Sequence, residues 1–112
     1  MTGTPRLLLL GSATVAAEGD YRYRVVADQD AIALVRAHAG SVASRIGHAP
    51  TASLLTEILG LPVQVDRSSS RQDVGETAVV VRPRSRVPRV GELRRDELIA
   101  VGLEWGLLER IS

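Results

Sequence analysis

Two histidines, fourteen arginines and no cysteine or lysine restrict the chemistry of this chain to imidazole, guanidinium, hydroxyl and carboxylate groups. Disulfides and thiolate nucleophiles are excluded, and zinc clusters lose their usual ligands. His48 has the most informative surroundings. It lies in Ser44 to Gly60, SRIGHAPTASLLTEILG, which reads as the end of a buried segment (Val42 to Ile46), a corner at Gly47 and a short amphipathic helix. Pro50 is tolerated in a first helical turn, where its missing N–H would have no partner anyway. Ala52, Leu54, Leu55, Ile58 and Leu59 fall on one helical stripe, and Gly60 suits a left-handed stop. His48 is thereby expected at or beside the helix N-terminus, where backbone N–H groups lack partners and anions, phosphate above all, are held. The helix dipole there disfavours a protonated imidazole. An imidazole tuned towards neutrality beside a phosphate cradle suits phosphodiester chemistry. By position alone, a histidine that caps the helix or packs into the core fits the same spacing.

The elements that must position this group follow from the rest of the chain. Arg6 to Leu10, bounded by Pro5 and Gly11, is a continuous apolar run that reads as a buried strand. Gly11, Ser12, Ala13 and Thr14 open a small-residue loop whose backbone could approach a ligand closely, though an ordinary surface loop has the same composition. Tyr21 to Ala27 alternates in period two, with Arg22 and Arg24 on one face and Tyr21, Tyr23 and Val25 on the other, as a half-buried strand does. Asp28 is a good N-cap for a helix that ends near His38 and Gly40. His38 in its last turn is assigned no function. Val63 to Arg67 is a further strand candidate, Ser68 to Glu76 a polar loop, and Thr77 to Arg82 an interior strand of β-branched residues. Pro83 and Pro88 interrupt the next stretch. A helix is expected from Arg94 to about Trp105, stopped by Gly106, and a last strand from Leu107 to Ile111. Trp105 is read as core or interface on an apolar helical stripe. The outcome is an α/β (α+β) domain spanning 1–112, a mixed sheet of about five strands with flanking helices.

Composition bounds the partners. A domain of 112 residues buries roughly two-thirds of its unfolded surface, and with no phenylalanine a subunit interface would add useful burial. The formal charge of +1 is not that of a nucleic-acid-binding polycation. The stretch from Arg67 to Arg95 is nevertheless locally cationic, with eight arginines against Asp73, Glu76 and Glu92. Arg36, Arg94, Arg95 and Arg110 are read as solvated surface charge. Leu7 to Gly11 is too short for a signal or membrane segment, so a soluble cytoplasmic protein is expected.

GDYRYR (Gly19 to Arg24), IGHAPTASLLTEILG (Ile46 to Gly60), RVP (Arg86 to Pro88) and GLEWGLLERI (Gly102 to Ile111), in this order and spacing, resemble a small viral and bacterial family first described from a protein of an archaeal turreted virus. Its members include the type III anti-CRISPR ring nucleases. The resemblance covers nearly the whole chain. It implies a two-fold homodimer that cleaves cyclic oligoadenylate, above all cyclic tetra-adenylate, without metal or cofactor. The ring lies across the dimer axis, its own 2′-hydroxyl attacks phosphorus, and the histidine protonates the departing 5′-oxygen, leaving a 2′,3′-cyclic phosphate.

The same resemblance places the catalytic histidine on His48, a ligand-binding arginine on Arg67 and a second, catalytic arginine on Arg86. It places ring contacts on Gly11, Ser12, Ala13 and Thr14. Arg45 and Gly47, just ahead of His48, are within sequence reach of a phosphate held there. The family turn carries a glutamate where this chain has Arg89. Either Glu92 takes over its role, or the protein works without it. Arg89 itself could bind the ligand and stabilise transition-state charge. Two other functions stand beside the enzyme: a dimer that binds a cyclic oligonucleotide without cutting it, and a nucleic-acid-binding dimer using Arg82 to Arg89. No aromatic residue lies between Arg67 and Arg95 to stack bases, which counts against long nucleic acid as a partner.

Overall fold

The computed structural model describes residues 6–11, 18–66, 72–84 and 94–112. Among them the chain forms β1 (Leu7–Gly11), β2 (Tyr21–Val26), α1 (Asp28–Ala37), β3 (Val42–Arg45), α2 (Ala49–Leu59), β4 (Thr77–Pro83), α3 (Arg95–Val101) and β5 (Leu103–Arg110). The five strands make one sheet in the order β2-β5-β4-β1-β3. β1 runs parallel to both β3 and β4, while β5 runs antiparallel to β4 and to the edge strand β2. The mixed sheet of an α+β domain is as expected.

β1 is an interior strand, between β4 and the edge strand β3, and its four leucines are buried on both faces. Leu7 and Leu9 join Val79, Val81, Leu103 and Trp105 in a cluster with α1, α2 and α3. Leu8 and Leu10 face the opposite side with Ala78. An unbroken apolar run is what a strand with two buried faces requires.

α2 follows its sequence closely. Pro50 lies in the first turn, Gly60 adopts the left-handed conformation at φ 69°, and Ala52, Leu54, Leu55 and Leu59 are buried. Arg36 of α1 completes its far end, donating through Nε to the Leu59 carbonyl at 2.9 Å and through Nη2 to that of Ile58 at 3.3 Å. Cationic donors at the last carbonyls of a helix satisfy its unpaired acceptors.

Three expectations are corrected. Val63 to Asp66 makes only a single parallel bridge, between Val65 and Ile46, rather than a strand. Pro62 has no N–H, and the Val63 N–H is taken by Thr56 Oγ1 at 2.9 Å. The helix expected to reach Trp105 ends at Val101, where Gly102 turns the chain at φ 78°. Trp105 and Gly106 then belong to β5, and Trp105 is buried in the core at 3 % exposure. A ladder along β4 from Thr77 to Pro83 outweighs the weak helical periodicity of that stretch. Lastly, β2 alternates as read but lies at the sheet edge, leaving Tyr23 and Val25 exposed. The Tyr23 ring lies over Gly106, where any Cβ would collide with it. Arg82 stands 5.4 Å from the ring centroid and bonds Glu104 at 2.7 Å, and these hydrogen bonds to Glu104, followed by charge interactions with Tyr23 and Glu104, hold its pKa above the usual arginine value.

Most of the arginines read as solvated charge have structural work. Besides Arg36, Arg95 pairs with Glu57 across α2 and α3. Arg110 donates to the backbone carbonyls of Gln72 (2.7 Å), Glu18 (3.1 Å) and Ser112 (3.2 Å). Arg94, although exposed, forms a capping box with Glu97 at the start of α3. At the same end of the sheet as Arg110, Arg6 grips both oxygens of Glu76 at 2.5 and 2.9 Å. The hydrogen bonds from Arg6 hold the Glu76 carboxyl below its ordinary range, and Glu76 in turn raises Arg6.

Candidate functional site

Because β1 is parallel to both neighbours, the carboxyl ends of β3, β1 and β4 lie side by side. Leu10 sits opposite Arg45 on one side and Val80 on the other, and Gly11 opposite Val81. In open sheets with parallel strands, ligands bind beyond such carboxyl ends. Gly11, Arg45, Gly47 and His48 all arrive there, the first from β1 and the others from β3 and its exit.

His48 is the N-cap residue of α2, with φ −119° and ψ 124°. Its carbonyl accepts the Ala52 N–H at 3.0 Å, but its side chain makes no capping bond to the helix. The imidazole is half-buried. Of the two structural uses of this histidine, the cap holds for its backbone but not for its side chain, and the burial is only partial. The first turn of α2 carries no acidic residue, so no carboxylate of that turn offsets the partial positive charge of the helix start.

Arg45 points to the sheet face that the helices leave uncovered, in register with Leu10. Its Nη1 donates to the Ser44 carbonyl at 2.8 Å and reaches Asp66 Oδ2 at 3.3 Å. Its Nε is buried without a hydrogen-bond partner among the described residues. Asp66 is brought alongside by its own N–H, which donates to the Ile46 carbonyl at 2.9 Å. Ser44 Oγ, bonded to the Gln64 carbonyl at 2.8 Å, fixes the preceding residues against the edge of β3. Sequence reading missed Asp66, since nothing in its local pattern says that residues 63–66 run back along β3. A Cβ built at Gly11 would meet Ile46 Cδ1 at 3.8 Å, an ordinary contact, so that neighbour does not demand glycine there.

Ser12, Ala13, Thr14, Arg67, Arg86, Arg89 and Glu92 lie outside the described residues. Among the described residues, no three His, Asp or Glu side chains come together in a group that could hold a metal ion. No helix among them is long and apolar enough to cross a membrane.

The STIV B116-like family model matches residues 7–105. The chain belongs to that family. It is also 30% identical over 88 residues to the uncharacterized protein ORF117 of Acidianus two-tailed virus, covering 78% of this chain and 75% of that one. Its fold is similar to that of B116 of Sulfolobus turreted icosahedral virus, with a TM-score of 0.68 and 16% identity, over 94% of this chain and 99% of that one. Membership in the STIV B116-like family thus extends over β1 to the middle of β5, and the site at the carboxyl ends lies wholly within the matched region.

Proposed function

We propose that this STIV B116-like chain is a metal-independent phosphodiesterase that opens cyclic oligoadenylate, with cyclic tetra-adenylate as its preferred ring. The observation that carries this reading is His48. An imidazole that does not cap its own helix stands at the mouth of α2, whose first turn lacks acids, beyond the carboxyl ends of three parallel strands. The family resemblance supplies the substrate.

In this reading a phosphodiester of the ring rests against the start of α2. The ribose 2′-hydroxyl attacks phosphorus in line with the 5′-oxygen, the P–O5′ bond breaks, and His48 gives its proton to the departing oxygen. The 2′-hydroxyl proton passes to solvent. The product is linear, with a 2′,3′-cyclic phosphate and a 5′-hydroxyl. General acid catalysis of this kind contributes about 10²–10⁴-fold, and backbone N–H groups and arginines facing the non-bridging oxygens add electrostatic stabilisation. A homodimer would present two copies of His48 to one ring, and such cleavage would switch off type III CRISPR signalling.

Incubation with labelled cyclic tetra-adenylate in EDTA tests the proposal. Linear products that disappear in His48→Ala are expected. A ring that stays intact but protein-bound would make the protein a sponge instead of an enzyme, and the absence of both binding and cleavage would overturn the reading.

A further inference from the structure

We propose that Arg45 and Asp66 form a displaceable pair, in which Asp66 is the resting counter-ion of an arginine that a phosphate of the bound ring takes over. This assignment rests on the reading of the site as a cyclic oligonucleotide site. It gives Arg45 the way in which it takes up the phosphate, and adds a residue that governs its availability, Asp66.

The pair is loosely made. The 3.3 Å separation of Arg45 Nη1 from Asp66 Oδ2 exceeds the roughly 2.7–2.9 Å of a well-formed charge-assisted bond. That same nitrogen is shared with the Ser44 carbonyl, and Nε is buried with no partner among the described residues. A guanidinium offers five donors in a flat fork suited to two oxygens of one phosphate. Here that fork is only partly used. Swinging outward would release Nε from its unbonded position and present a full N–H edge to an anion. Both side chains keep contact with solvent, at 23% and 38% exposure for Arg45 and Asp66, so an incoming phosphate can compete for the arginine.

The main chain of Asp66 is held to β3: its N–H is bonded to the Ile46 carbonyl, and Val65 is bridged to Ile46. When the guanidinium turns to the phosphate, the carboxylate stays beside it as a like charge against the anion. Arg45 leaves β3 three residues before His48, and the start of α2 has no acid of its own. Asp66 thus opposes anion binding while pairing with Arg45 before a phosphate arrives.

The test titrates cyclic tetra-adenylate into His48→Ala, so that no turnover interferes, and then into the same protein carrying Asp66→Asn, Arg45→Gln or both. Arg45→Gln is expected to weaken binding about tenfold. It should also lower the slope of log affinity against log salt by about one. Asp66→Asn should tighten binding about threefold to fivefold, a gain that damage to the fold does not produce. In the double variant the gain should vanish, leaving the affinity of Arg45→Gln alone. Asp66→Ser replaces Asp66→Asn if the latter lowers the folded fraction. Weaker or unchanged binding in the Asp66 variant, or a gain that survives loss of Arg45, overturns the pair while leaving the ring-binding site intact. Failure of the wild-type protein both to bind and to cleave the ring overturns the functional reading and this assignment together.

Discussion

At the end of the sheet where β1 and β4 begin, Arg6 holds both oxygens of Glu76 and Arg110 spreads its guanidinium over three backbone carbonyls. Gln72 is buried there with its amide shared between the carbonyls of Glu76 and Leu108, each at 2.7 Å. At the other end, roughly 15 Å along the strands, Arg45 reaches its carboxylate at 3.3 Å with Nε unbonded among the described residues, and the start of α2 has no acid in its first turn. The first end is built to stay closed. The second leaves an arginine donor unused among the described residues.

The sharpest way to break this comparison is at His48. His48→Ala should lower ring cleavage about 10²–10⁴-fold while leaving the thermal midpoint within a degree or two, as seen in a calorimetric scan beside the cleavage assay. A large loss of stability would make His48 part of the scaffold. Arg110→Leu should do the reverse. Three carbonyls lose donors at about 0.5–1.5 kcal/mol each, so urea unfolding should show a loss of about 2–3 kcal/mol, with kcat unchanged in the folded fraction.

Glu76→Gln should cost about 1–2 kcal/mol at neutral pH and should also change the acid limb. The carboxyl is lowered in the folded protein, so below its ordinary value of 4.5 the unfolded chain takes up the proton first. The contribution of Glu76 is therefore present above that pH and is lost as pH falls through the folded value. Stability measured from pH 6 down to pH 2 should fall less steeply in the variant, and an identical slope would remove Arg6 as the cause. Gly11→Ala should have the smallest effect on folding, within about 0.5 kcal/mol, because its added methyl meets Ile46 only at ordinary contact distance. Any drop in ring affinity would then report close approach of the ligand to that backbone.

What the sequence disclosed was local. Pro50, the stripe from Ala52 to Leu59 and Gly60 each act within a turn or two of α2, and the helix start at His48 follows from them. The four leucines of β1 declare two buried faces. What it concealed depends on distant partners. β5 begins at Leu103 because β4 offers a ladder, and neither Gly102 nor Trp105 reveals that alone. Arg36 and Arg110 look like solvated charge until α2 and the backbone near Glu18 and Gln72 supply carbonyls. Asp66 gains its place beside Arg45 only because Pro62 and Thr56 turn the chain back along β3.

The two guanidinium-bearing residues of β2 also govern how molecules of this chain can meet. Arg22 and Arg24 share one side of an outermost strand, so any pairing of two such strands that sets Arg22 opposite Arg24, or either opposite itself, places arginine against arginine. The opposite rim is occupied by residues 63–66. Both rims thus carry a feature that works against edge-to-edge pairing of copies, the association to which exposed strand edges are prone.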